Sequence, residues 1–146
     1  MAFRALLESI PEVDIPAEYS IEIAVHVEGE PRPLRGTPAH FGTMPSEAGL
    51  RGQFVAAQPI QANTELTNAA KLEGKLMVTE RGGCSFVDKA LRAEAAQCCG
   101  LVVIQTQEKW PHVMDDSSGK GDALGIPATM ISMEDGKVPA LWRVQP

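Results

Sequence analysis

The clearest pattern of apolar and polar positions lies in the middle of the chain. Residues 75–79 (Lys-Leu-Met-Val-Thr) predict a strand, and residues 101–104 (Leu-Val-Val-Ile) predict a second strand that is apolar on both faces. Between them, an alanine-rich run with Ser85 as its N-cap and Gly100 as its stop predicts a helix over residues 85–99. Strand, helix and buried strand form a βαβ unit, so we expect the two strands to be parallel neighbours.

The flanking segments carry weaker strand patterns. Alternating apolar and polar residues predict a strand over residues 19–28 with one wet face. Residues 53–60 and 126–132 predict two further strands, and residues 141–144 predict a last strand at a sheet edge. The proline- and glycine-rich stretch 31–52 predicts a loop with short extended pieces.

Short helical pieces are predicted outside the centre. A group of apolar residues shares one helical face ahead of Pro11 and predicts a docking helix within an N-terminal extension, residues 1–18: Phe3, Leu6, Leu7 and Ile10. Thr64 is the predicted N-cap of a helical turn over residues 64–71. The chain contains no internal repeat, so we expect one domain over residues 1–146.

Composition and charge exclude several classes of protein. Apolar residues make up 44% and charged residues 22% of the 146 residues, which is typical of a globular domain. The net charge of −6 disfavours nucleic-acid binding, and no apolar run approaches the roughly 20 residues that span a bilayer. Three cysteines, two of them adjacent, are a poor disulfide framework. Together with the lack of a signal-peptide pattern they favour an intracellular soluble protein, and the secretory pathway stays open if the native chain begins further upstream.

Residues 79–86 (Thr-Glu-Arg-Gly-Gly-Cys-Ser-Phe) turn a predicted strand into a predicted helix, where many enzymes hold a nucleophile or a phosphate. The two glycines lack the lysine and hydroxyl residue of a phosphate loop, so they favour a tight turn. Cys84 is a candidate nucleophile at a helix N-terminus that needs one of three histidines as its base, or else a buried structural thiol: His26, His40 and His112. Cys98-Cys99 has the wrong spacing for zinc, and residues 115–122 lack the glutamate of a calcium loop. We expect no metal, no cofactor and no catalytic residue.

Several short motifs occur in an order and at a spacing that resemble one known family. Arg-Gly-x-Cys-x-Phe lies at residues 81–86, and Ile-Pro-x-x-x-Ile-Ser-x-x-x-Gly lies at residues 126–136. Pro-Ala-x-Phe-Gly stands within residues 37–42, and Glu-Leu-Thr-Asn at residues 65–68 matches a turn of the same family. Together these motifs resemble the protease-associated (PA) domain, with a family core over residues 37–142.

The resemblance implies an α+β fold: a β-rich, barrel- or sandwich-like sheet with flanking short helices and one central βαβ unit. It implies a non-catalytic domain that binds a protein or peptide, with a protease or another catalytic chain as a further partner. Many members pair the motif cysteine with an upstream cysteine, but Asn63 stands near that place, so the usual disulfide is absent. Two alternatives stay open: a small thiol-dependent enzyme that uses Cys84, and a structural accessory to a separate catalytic chain.

The resemblance and the predicted topology place a binding surface at one end of the domain. The glycine turn and the long loop after Ile104 both leave the carboxyl ends of the parallel strands, where ligand crevices commonly form. The alternative is that Trp110 is only a partly covered loop aromatic and that Arg81 belongs to a surface ion pair. The candidate ligand-binding residues are Arg81, Gly82, Gly83, Trp110, His112, Asp115 and Asp116.

Overall fold

The computed structural model describes residues 23–45 and 50–142. The strands in this part of the chain are β1 (Ile23–Val25), β2 (Leu34–Pro38), β3 (Phe54–Ala56), β4 (Leu76–Glu80), β5 (Gly100–Ile104) and β6 (Ala128–Ile131). The α-helix described there, α1, spans Phe86–Ala95. Short 3-10 turns lie at Ala69–Lys71, Lys120–Ala123, Asp135–Lys137 and Pro139–Trp142.

The six strands form one mixed sheet in the order β1-β2-β6-β5-β4-β3. The strands β3, β4, β5 and β6 are parallel to one another, whereas β2 pairs antiparallel with both β1 and β6. The predicted βαβ unit is confirmed, because β4 and β5 are parallel neighbours joined by α1, with Leu76 opposite Gly100 and Glu80 opposite Ile104. The α+β fold class is therefore correct.

Helix α1 begins where the sequence predicts and ends earlier. The Ser85 hydroxyl accepts a hydrogen bond from the Asp88 backbone N–H at 3.1 Å, which caps the first turn. The helix ends because Gln97 takes a left-handed φ of 65°, and the Cys98 N–H bonds back to the Ala93 carbonyl at 3.0 Å. Gly100 belongs to β5 instead, where a Cβ would lie 2.9 Å from both Leu50 and Leu76 side chains.

Both faces of the sheet are covered, which explains why all five residues of β5 are buried. One face packs against α1 through buried residues that include Met77, Leu101, Val103, Met130, Val87, Ala90 and Ala93. On the other face, side chains of β4, β5 and β6 form a second buried cluster with side chains of β1, β2 and the C-terminal 3-10 turn. This cluster includes Val78, Val102, Ile104, Ile131, Val25, Leu34 and Leu141. The edge strands β1 and β3 line one cavity of about 630 Å³ at the amino ends of the parallel strands, so the sheet curls in a barrel-like way.

The structure refines one local prediction and corrects another on either side of β3. The stretch 31–52 contains β2, a full sheet strand held by partners on both sides. The predicted N-cap Thr64 starts no helix; the turn begins after Asn68, whose side chain instead bonds the Gln58 N–H and the Ala56 carbonyl.

The predicted strand 141–144 is wrong over its described residues. Pro139–Trp142 form a 3-10 turn, fixed by a hydrogen bond from the Trp142 indole N–H to the Gly136 carbonyl at 2.8 Å. The predicted docking helix, residues 19–22 of the first predicted strand and residues 143–146 lie outside the described residues. Within the described part of the chain, no helix is long and apolar enough to cross a membrane.

Candidate functional site

The candidate site lies where β4 and β5 end. The Arg81 N–H donates to the Ile104 carbonyl at 2.9 Å, and the Gln105 N–H donates to the Ile131 carbonyl at 2.9 Å. These two bonds tie the carboxyl ends of β4, β5 and β6 together just past the last strand residues. The turn into α1 and the loop after β5 therefore start from a rigid edge, as the parallel topology predicts.

The two glycines of the turn are required by both conformation and space. Gly82 has φ 113° and Gly83 has φ 81°, which are values that other residues rarely adopt. A Cβ on Gly82 would lie 2.8 Å from the Gln61 amide nitrogen, and one on Gly83 would lie 2.9 Å from the Asn63 Cβ. The sequence Arg-Gly-Gly-Cys is thus first of all a tight turn packed against residues 61–63.

Arg81 is held by a buried amide and an aromatic ring. Its guanidinium donates to the Gln105 side-chain carbonyl at 3.0 Å and lies 5.3 Å from the centre of the Phe86 ring. Gln105 is fully buried and is itself fixed, since its amide donates to the Lys109 carbonyl at 3.0 Å. In the described part of the chain, Arg81 takes part in this arrangement and not in a surface ion pair.

His112 lies beside the same ring. Its imidazole centre is 6.0 Å from the centre of Phe86, at an angle of 52°. Partial burial lowers the pKa of His112, and the nearby charges of Arg81 and Lys109 lower it further against the opposite effect of Asp115. Trp110, two residues earlier, is half-buried and packs against the core that includes α1. The structure thus brings Arg81 and His112 together around Phe86.

The two acidic candidates are engaged within their own surroundings. Asp116 accepts hydrogen bonds from the Ser118 N–H at 2.9 Å, from the Ser118 hydroxyl and from the Gly121 N–H at 2.8 Å. These bonds, the one from the Ser118 hydroxyl first, lower the pKa of Asp116 because they favour its charged form. Asp115 pairs with Nδ1 of His40. Asp116 therefore shapes the loop, while Asp115 is exposed on its surface.

Cys84 faces a buried lysine that the sequence reading missed. Its Sγ lies 3.5 Å from the Ala62 carbonyl oxygen and 3.8 Å from the Lys89 Nζ. Lys89 is completely buried, and its ammonium donates to the Gln61 carbonyl and, at 2.6 Å, to the Gly82 carbonyl. Burial lowers the pKa of Lys89, and Cys84 opposes that shift.

The position of Lys89 has a signal in the sequence. Lys89 is three residues after Phe86 and four before Ala93, so it falls within the apolar stripe of the predicted helix. All three cysteines are free thiols in the structure. All three histidines also lie in the described ranges, and no hydrogen bond there joins any of them to Cys84. The Cys–His pair that a thiol enzyme would use is not formed.

A match to a family model identifies the family of this chain. The model of the PA domain matches residues 46–138, and the chain belongs to the PA domain family. PA domains are generally non-catalytic accessory domains and are found in proteases.

The relatives are longer proteins of several kinds. The chain is 34% identical over 113 residues to ER degradation-enhancing alpha-mannosidase-like protein 3 of Xenopus laevis, covering 72% of this chain and 12% of that protein. It is 27% identical over 129 residues to Signal peptide peptidase-like 3 of Oryza sativa subsp. japonica, covering 87% and 24%. It is 31% identical to a PRADC1-like protein of Drosophila melanogaster, covering 67% and 52%. The chain thus spans an eighth to about half of the length of these relatives.

One solved structure shares the fold over most of this chain. The zinc aminopeptidase BSAP from Bacillus subtilis superposes with a TM-score of 0.63 at 24% identity. The match covers 80% of this chain and 27% of the aminopeptidase chain. At this identity the likeness extends to the fold alone.

Proposed function

We propose that this PA domain is a non-catalytic module that binds a peptide or a segment of a partner protein at the carboxyl ends of β4 and β5. The observation that carries the proposal is the arrangement of Arg81, which Gln105 and Phe86 hold in place beside the turn. A protease or another catalytic chain, as the partner or as the rest of a larger protein, fits the relatives in which such domains occur.

An ordered arginine beside aromatic rings is well suited to binding. Arginine and tryptophan are among the residue types most enriched in interface hot spots. Arg81 is already fixed by two partners, so its side chain would lose less conformational entropy when a ligand binds to it. Gly83 is exposed, so the backbone of an extended ligand can reach the turn.

Binding can be tested with peptides selected from a random-sequence library on the immobilised domain. We expect Arg81→Ala to weaken binding of a selected peptide by about 1–2 kcal/mol, a 5- to 30-fold higher Kd by calorimetry. Stability should change little, because the Gln105 carbonyl keeps a hydrogen bond from the Thr106 N–H at 3.1 Å. Trp110→Ala should weaken binding similarly but also destabilise the fold, because Trp110 packs against the core.

A matched control uses an exposed arginine at the opposite end of the strands. Arg51 lies beside the cavity at the amino ends of the strands, opposite the proposed site, so Arg51→Ala should leave the Kd unchanged. NMR shift changes on peptide addition should cluster in residues 81–86 and 105–112. Changes confined to the amino-end cavity would contradict the site. Failure to select any peptide would favour a purely structural accessory role.

A further inference from the structure

We propose that Cys84 and Lys89 form a peroxide-reactive pair, in which Cys84 is oxidised to sulfenic acid and the Lys89 ammonium holds the added oxygen atom. The proposal does not depend on peptide binding. It rests on the hydrogen bonds of the buried ammonium and on the distance between its nitrogen and the sulfur.

The ammonium has one N–H without a strong acceptor in the described residues. Two of its three N–H groups are used by the carbonyls of Gln61 and Gly82. The remaining partner is the Cys84 sulfur, which is a weak acceptor at 3.8 Å. Since Lys89 is completely buried, no bulk water compensates this N–H, and an under-satisfied buried donor is costly. The site therefore favours an additional oxygen next to the sulfur.

The distance between the two groups matches the length that one bridging oxygen atom would span. An S–O bond of about 1.6 Å and a charge-assisted N–H···O bond of about 2.8 Å, meeting at about 120°, span roughly 3.8 Å. This is the separation of Sγ and Nζ in the structure, 3.8 Å. The ammonium offers no further N–H to a second oxygen, because its other two N–H groups already bond carbonyls.

The reaction is a simple two-electron oxidation of the thiol by hydrogen peroxide. The Cys84 sulfur attacks one peroxide oxygen; the S–O bond forms as the O–O bond breaks. The departing hydroxide takes the thiol proton and leaves as water, so one thiol and one peroxide give one sulfenic acid and one water. Cys84 is partly exposed, so peroxide can approach this residue from the solvent.

The other two cysteines provide an internal reference. Cys98 is buried, and burial raises its pKa to about 11; burial also raises the pKa of Cys99. Thiols with raised pKa values form little thiolate, so they react slowly with peroxide. Neither is hydrogen-bonded to a lysine ammonium in the described part of the chain; the Cys99 thiol contacts the Arg51 carbonyl.

The experiment treats the full chain with one equivalent of hydrogen peroxide and then with a 1,3-dione that labels sulfenic acids. Intact mass and peptide mapping should show one label at Cys84, at least about tenfold faster than at Cys99, and none in Cys84→Ser. Without the dione, the gain of a single oxygen should persist after peroxide is removed.

Variants at two positions test the role of the ammonium. Lys89→Met should shorten the lifetime of the single-oxygen product about tenfold, the amount expected for loss of one charge-assisted hydrogen bond. Gln61→Ala keeps the backbone carbonyl that bonds Lys89 and should behave as wild type. Equal labelling of Cys84 and Cys99 in the wild type would overturn the proposal, even if Lys89→Met fails to fold. A product lifetime in a folded Lys89→Met protein equal to that of wild type would also overturn it.

Discussion

Replacing Gly83 by alanine separates two reasons why the turn needs glycine. Three exposed glycines have nearly the same positive φ: Gly74 with φ 74°, Gly119 with φ 79° and Gly83 with φ 81°. A Cβ on Gly74 would meet no atom within 4 Å, and one on Gly119 would meet only the Asp122 carboxylate at 3.8 Å. Alanine at either position therefore measures the conformational penalty alone, about 1–2 kcal/mol.

Gly83 adds a steric contact to the same conformational penalty. A Cβ there would lie 2.7 Å from the Gln61 side-chain oxygen and 2.9 Å from the Asn63 Cβ. The Gln61 oxygen ends a long side chain and can move aside, but the Asn63 Cβ moves only with its backbone. Overpacking of this kind costs about 1–3 kcal/mol, so Gly83→Ala should destabilise the domain by about 2–5 kcal/mol in total.

Urea unfolding of the three alanine variants gives the test. We expect the midpoint of Gly83→Ala to fall clearly below those of Gly74→Ala and Gly119→Ala, with the slope of the transition unchanged. The difference between the variants reports the contact with Asn63. Equal destabilisation of all three variants would refute the steric argument and leave backbone conformation as the whole cause.

Two further predictions concern a helix cap and a loop carboxylate. Ser85→Ala removes the hydroxyl that caps α1 through the Asp88 N–H and should cost about 1 kcal/mol in urea unfolding; no loss would mean that the cap is dispensable. The hydrogen bonds of Ser118 and Gly121 lower the pKa of Asp116 in the folded protein. The charged Asp116 carboxylate therefore stabilises the fold above the ordinary aspartate pKa, and this contribution is lost as the pH falls through the lowered pKa of the folded state. Asp116→Asn should therefore lose less stability than wild type between about pH 5 and pH 2, and parallel pH profiles would contradict this.

The central βαβ unit could be predicted because its signals are local. The apolar strand pattern, the Ser85 cap and the alanine-rich helix all lie within about 30 residues and agree with one another. The end of the helix could not be predicted, because it depends on Gln97 adopting a left-handed φ of 65°. Glutamine carries no sequence signal for that conformation, whereas Gly100, the expected stop, is needed for close packing inside β5.

Strand β2 could not be predicted from the local sequence, because strands distant in sequence stabilise it. Its sequence, Leu-Arg-Gly-Thr-Pro, has little strand preference, yet it pairs with β1 on one side and with β6 on the other. Position 36 favours glycine, because the Cβ of any other residue would lie 2.7 Å from the Thr129 hydroxyl. Contacts between residues so far apart in sequence override local propensity and cannot be read from the local pattern.

The two loops of the candidate site could be predicted to be neighbours, but the contacts of their side chains could not. Parallel strands end at one edge, so the glycine turn and the loop after β5 had to lie near each other. The partners of single side chains depend on the folded loops. Lys89 donates to the carbonyls of Gln61 and Gly82, and Asp116 bonds within its own loop, so neither arrangement follows from sequence spacing.

The place of β6 in the sheet has a consequence for synthesis on the ribosome. β6 lies between β5 and β2, and Gly36 pairs with Ile131 almost a hundred residues later. β3, β4 and β5 can pair as each emerges, but the β1–β2 hairpin has no place in the sheet until residue 131 has been made. A pause between residues 104 and 128 would leave β2 and β5 with exposed edges, each able to pair with a strand of another nascent chain.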